Sequence, residues 1–86
     1  MNNDLLQAAS LLKRSRWGRR GSGLCMVDAV KKVAGGFGEP RFTRAYAALA
    51  DEVASECPPN TNLHDWNDRQ KSKRRVIRIL ERAAMR

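Results

Sequence analysis

Arg74, Arg78 and Arg82 recur every four residues toward the C-terminal end of the chain. That interval stacks side chains on one helical ridge. Each like-charge pair at this spacing costs an isolated helix about 0.2–0.5 kcal/mol. Lys73, Arg74 and Arg75 also crowd what reads as the first turn, where the helix dipole disfavours cations by about 0.3–1 kcal/mol each. Helix stability explains this arrangement poorly. Contact with phosphates or with an acidic protein surface explains it well. The plain alternative is a solvated face, since arginine forms helices readily and aids solubility. No Asn or Gln is spaced to read base edges, so any nucleic-acid contact implied here is with the backbone.

A second basic run, Lys13-Arg14-Ser15-Arg16-Trp17-Gly18-Arg19-Arg20-Gly21, interleaves an indole with five bases. Such a segment can follow a phosphate backbone while the ring stacks on a base. Trp17 is read instead as covering the core, because large aromatics are mostly buried. The two runs divide the charge of the 86-residue chain, which is +8 overall. Residues 13–20 carry +5, residues 69–86 carry +7, and the other 60 residues sum to −4. A polyanionic partner is the first expectation from this asymmetry.

Cys25, His64 and Asn67 occur in the chain order of a cysteine-nucleophile triad. Cys25 also lies near a predicted helix N-terminus, where the dipole lowers a thiol pKa. Its place on the helical wheel borders the apolar face, so a small buried hydrophobe is the preferred reading. Cys25, Cys57 and His64 contain no pair at chelating spacing, and no metal or cofactor is expected. Gly21-Ser22-Gly23 ahead of a helix suits one phosphate but lacks the lysine and spacing of a P-loop. The Met1–Leu5 start has neither the basic nor the apolar region of a signal peptide. A cytoplasmic location with both thiols reduced is therefore expected. No apolar run approaches a membrane span.

These residues must be positioned by a single small domain of residues 1–86. Hydrophobic periodicity predicts an all-α bundle of about four short amphipathic helices near 4–16, 23–34, 40–55 and 73–85. A loop is expected over 56–72. Leu5, Ala8, Ala9 and Leu12 share the first apolar face, and Met26, Ala29, Val30, Val33 and Ala34 the second. Phe42, Ala45, Tyr46, Leu49 and Val53 form the third, with Asp51, Glu52 and Glu56 off that stripe. Val76, Ile77, Ile79, Leu80, Ala83 and Ala84 form the last. Expected N-caps are Asn3 or Asp4, Ser22 and Ser72, with Pro40 opening the third helix. Leu63 and Trp66 are expected to anchor the loop in the core, and Asn67 and Asp68 to hold a turn. Residues 23–54 suggest a helix-turn-helix, but the Gly35–Glu39 connection is long for it, and Asp51 and Glu52 would repel phosphates.

Trp17, Cys25-Met26-Val27-Asp28-Ala29, Trp66-Asn67-Asp68, and Ser72 followed by Val76 and a Leu80-Glu81-Arg82-Ala83 ending form a pattern over residues 17–84. It resembles an uncharacterised family of small helical proteins of actinobacteria and their bacteriophages, with the order W…C-x-x-G-A…W-N-D…Ser/Thr-x-x-x-V. The resemblance implies a helical fold and a bacterial or phage setting, with no activity or mechanism attached. Trp-Asn-Asp ahead of a capped helix is its most specific element. Two positions depart from the pattern: Asp28 stands where glycine is usual, and Arg74 and Arg75 where acids are usual.

The reading is a small, basic, non-enzymatic binding protein. Its expected contact residues are Arg14, Arg16, Arg19, Arg20, Lys71, Arg74, Arg75, Arg78 and Arg82, with Trp17, Cys25, Trp66, Asn67, Asp68 and Ser72 structural. The expected partner is nucleic acid, bound nonspecifically and salt-sensitively. The alternative is a phage-type effector or adaptor binding an acidic host-protein surface. An anionic membrane ranks last, because the apolar face of the last helix is the best core material available.

Overall fold

In the N-terminal helix, Asn2 rather than Asn3 or Asp4 is the cap, its side chain accepting from the Leu5 N–H at 3.1 Å. In the computed structural model, which describes residues 1–18, 23–57 and 62–86, this helix is α1, Asn3–Arg14. The others are α2 (Met26–Ala34), α3 (Pro40–Ala54), α4 (Leu63–Arg69) and α5 (Lys73–Ala84). The fold of the described residues is all-α, with five helices rather than about four. The described residues contain no strand, only a bridge between Trp17 and Leu24.

That bridge sets two helix boundaries. The Leu24 N–H donates to the Arg16 carbonyl at 3.0 Å, and the Gly18 N–H to the Leu24 carbonyl at 3.2 Å. Backbone committed to this pairing is extended, so α1 stops at Arg14 instead of Arg16, and α2 starts at Met26 instead of Gly23. Cys25 is the α2 N-cap, its sulfur accepting from the Asp28 N–H at 3.4 Å. The expected cap, Ser22, lies outside the described residues. Gly23 has φ +148°, and a Cβ there would lie 3.0 Å from the Gly18 backbone, so glycine is what lets the two segments approach.

The fifth helix is the main departure from expectation. Asn62 caps α4 by accepting from the N–H groups of His64 (2.8 Å) and Asp65 (3.2 Å). Leu63, Trp66 and Asn67 then fall at the i, i+3, i+4 positions of a buried face. A helix of seven residues shows less than two turns of periodicity, too few for its pattern to stand out.

The core joins the predicted faces of α1, α2, α3 and α5 with Leu63 and Trp66 of α4. Lys73 and Ala84 bound α5, whose Ser72 holds the N-cap position without a side-chain cap bond. The Asn2 N–H donates to the Ala84 carbonyl at 2.7 Å, which sets α1 antiparallel to α5. No helix among the described residues is long and apolar enough to cross a membrane.

Candidate functional site

Glu52 lies off the apolar stripe of α3 by its spacing, yet it is only 6% exposed. Its carboxylate pairs with Arg82 at 3.3 Å and Arg86 at 3.1 Å. Glu56, one turn on, pairs with Arg75 at 2.7 Å. Glu52 of α3 and Glu56 just past its end thus face Arg75 and Arg82 on one flank of α5 and Arg86 just past it, and the fold neutralises that flank internally.

The opposite flank differs. Lys73 Nζ reaches across to α1 and donates to the carbonyls of Ser15 (2.6 Å) and Lys13 (3.3 Å). A cation on the last carbonyls of a helix is favourable there, so Lys73 sits in the first turn of α5 to cap the end of α1. This contact also brings together the two basic runs, separated by 58–60 positions in sequence. Arg75 has a structural partner besides Glu56, its Nε donating to Gln70 Oε1 at 2.9 Å. Two of the three first-turn cations are therefore accounted for by the fold.

Arg74 is not, and neither is Arg78. Both are exposed, and neither forms an ion pair or side-chain hydrogen bond among the described residues. They line a groove of about 420 Å³ between α1 and α5, with Lys13, Lys73, Ile77 and Glu81. Lys13 pairs with Glu81 at 3.1 Å on the groove wall. Four cations against one carboxylate leave the groove strongly positive, and Ile77 gives it an apolar floor.

A second groove of about 570 Å³ flanks the other side of α1, lined by Gln7, Ser10, Leu11, Arg14, Lys32 and Val33. It holds two cations and no acid. The only acid in α1 is Asp4, bound by Arg41 through two hydrogen bonds of 3.2 and 2.6 Å. The Arg41 guanidinium holds the Asp4 carboxyl below its usual range. The rest of α1 therefore runs as an acid-free ridge between two basic grooves.

The structure thus sorts the sequence candidates. Arg74 and Arg78 line the first groove, and Arg14 the second. Arg16 and Lys71 are exposed. Arg75 and Arg82 are turned toward the carboxylates of Glu56 and Glu52. Arg19 and Arg20 lie outside the described residues. Lys13, Lys73 and Lys32, absent from the expected set, enter through position; the only sequence signal for the first two was membership in the basic runs.

The remaining motif residues are structural. Asn67 is fully buried. Its Oδ1 accepts from Trp17 Nε1 at 2.8 Å and from the Met26 N–H at 3.1 Å. Its Nδ2 donates to the Gly18 carbonyl at 3.2 Å and to Asp68 Oδ1 at 3.4 Å. One amide thereby ties α4 to the start of α2 and to the segment after α1. Trp66 is 3% exposed and Trp17 is half-buried against the core.

Cys25 and His64 do meet, with Sγ and Nδ1 3.8 Å apart. Cys25 is almost fully buried, and burial pushes its thiol pKa up, the reverse of what a nucleophile needs. The Asn67 amide is engaged elsewhere and does not orient the imidazole. Cys25 and Cys57 are both free. No group of three metal-ligating side chains occurs among the described residues.

The model of a family of unknown function (DUF6197) matches residues 2–86. No curated protein and no solved structure matches the chain.

Proposed function

The chain belongs to DUF6197, a family of unknown function, and we propose that it is a non-enzymatic module that binds nucleic acid through backbone phosphates along the α1–α5 groove. One observation carries this reading. Of the cations in the first turn of α5, Lys73 and Arg75 have structural partners, while Arg74, with Arg78 one turn on, has none among the described residues and lines the positive groove. Guanidinium forks suit phosphate oxygens. Lys13 and Lys73 lie close enough to add to the field, and the second groove extends it across α1. The setting we infer from the Trp-Asn-Asp pattern is a bacterial or phage-infected cytoplasm.

The test is fluorescence anisotropy of a labelled oligonucleotide, with a pull-down from nuclease-treated lysate alongside. Affinity should fall steeply with added salt, and Arg74→Glu with Arg78→Glu should nearly abolish it. Retained binding in that double variant overturns the assignment of the groove. No oligonucleotide binding, together with a stoichiometric acidic protein captured after nuclease treatment, overturns the nucleic-acid reading in favour of a host-protein adaptor.

A further inference from the structure

Phe37 stands on the turn between α2 and α3 and is 73% exposed. The turn is built to present it. Gly35 and Gly38 take φ of +89° and +95°, and the Glu39 N–H closes the turn on the Gly36 carbonyl at 3.2 Å. The ring is also held in place. It meets Phe42 at 5.1 Å between centroids in an edge arrangement of 74°, and Phe42 is itself buried and packs on Tyr46 at 5.5 Å. Lys31 Nζ lies 4.4 Å from the Phe37 centroid. A fixed, solvent-facing aromatic ring beside a cation is an arrangement that takes a second π-system.

Its position gives the partner. Arg41 ties the start of α3 to Asp4 and to the Val33 carbonyl, which holds the turn at the N-terminal end of α1. The second groove runs along α1 from Arg14 to Gln7 and is closed on the α2 side by Lys32 and Val33. The ring therefore stands two residues beyond Gly35, the C-cap of the helix that supplies those two groove residues. Arg74 and Arg78 line the groove on one side of α1, Arg14 and Lys32 line the groove on the other, and Lys31 lies over Phe37, all within a molecule 28 Å in its longest dimensions. Basic tracks that end on aromatic platforms bind single strands, because only an unpaired base offers its face for stacking.

We propose that Phe37 stacks on an unpaired base, so that the nucleic acid bound is single-stranded. This rests on the phosphate-binding reading above and goes beyond it. The phosphates fix the strand along α1, and the ring selects against a duplex, whose base faces are already covered.

The experiment compares three labelled probes of about 15 nucleotides, within the length range of single-strand sites: an oligothymidylate, the duplex it forms with its complement, and an oligothymidylate with several abasic positions. The protein should bind the intact single strand most tightly. Phe37→Ala should weaken that binding roughly tenfold, within the range for one base–aromatic stack, leave its salt slope unchanged, and change the duplex and abasic affinities little. Phe37→Tyr should retain the preference, and Phe37→Leu, which keeps apolar area without a π-face, should lose it. Equal affinity for all three probes with no effect of Phe37→Ala overturns the stacking proposal and leaves phosphate binding standing. Equal losses on all three probes overturn it as well. Absence of binding to any probe overturns both.

Discussion

Asn67→Ala is the substitution whose cost can be worked most completely from the structure. The side chain is fully buried and serves two hydrogen-bond donors and two acceptors. Its loss orphans the Met26 N–H and the Gly18 carbonyl, both at buried residues. An unsatisfied buried polar group costs about 1–3 kcal/mol. Trp17 is only half-buried, so its indole N–H can turn to water at a cost of about 0.5–1 kcal/mol. The middle values of these ranges add to a loss of about 5 kcal/mol. A domain of this size has about 4–13 kcal/mol in total at typical stability per residue, so the variant should be marginal or unfolded. Urea denaturation followed by the fluorescence of Trp17 and Trp66 measures this. With a slope of about 1–1.5 kcal/mol/M, the midpoint should fall by roughly 3–5 M. Asn67→Asp keeps a graded readout if the alanine variant does not fold. It retains the acceptor for Trp17 and Met26 but loses the donor to Gly18 and places a carboxylate against that carbonyl. It should be destabilised at neutral pH and partly recover on acidification, when the protonated acid donates again. A loss under about 1 kcal/mol in the alanine variant would refute the view that this amide organises the junction of α1, α2 and α4.

Gly23→Ala should cost about 1–3 kcal/mol in the same assay, because residue 23 combines a left-handed φ with a 3.0 Å approach to the Gly18 backbone. Glu52→Gln should lower stability by about 1–2 kcal/mol through loss of two charge-assisted bonds. It should also raise oligonucleotide affinity several-fold, since Arg82 and Arg86 then lack a carboxylate partner; an unchanged or weaker affinity in anisotropy would count against internal neutralisation. In native buffer, half-exposed Cys57 should react with a thiol reagent well before Cys25, as peptide mapping would reveal. Burial raises the Cys25 pKa, so its stabilising contribution is complete below the ordinary thiol value of about 8.5 and is lost as pH rises toward the raised one. Urea titrations at neutral and alkaline pH should therefore show a smaller alkaline loss in Cys25→Ser, which keeps a capping acceptor.

The apolar stripes of α1, α2, α3 and α5 were legible because each repeats over two or more turns; the buried faces of α1 and α5 match the spacing, while Val27 and Glu52 are buried beyond the expected faces of α2 and α3, and Val33 and Tyr46 are only half-buried at their edges. The short α4 was not, although Asn62 and the Leu63–Trp66–Asn67 spacing carried its signal. The boundaries at Arg14 and Met26 depend on pairing between Arg16–Gly18 and Leu24, which leaves no periodic trace. The site was legible as charge and illegible as geometry. The sequence marks Arg74, Arg75, Arg78 and Arg82 as one series. What separates them is which flank of α5 meets the α3 carboxylates and which meets α1, a distinction made only by tertiary packing. Glu52 reads as an outward acid until arginines two helices away give it a reason to be buried.

The most direct test of that sorting is the salt dependence of oligonucleotide binding in two double variants, Arg74→Gln with Arg78→Gln and Arg75→Gln with Arg82→Gln. Both remove two positive charges from the same helix. The first pair should reduce the slope of log affinity against log salt by roughly 1.4 on a single strand, about 0.7 for each phosphate that the protein no longer neutralises, and weaken binding accordingly. The second pair should leave the slope essentially unchanged. Equal reductions from both pairs would contradict the account, because the charge on α5 would then act as a whole and the groove between α1 and α5 would not be the binding surface.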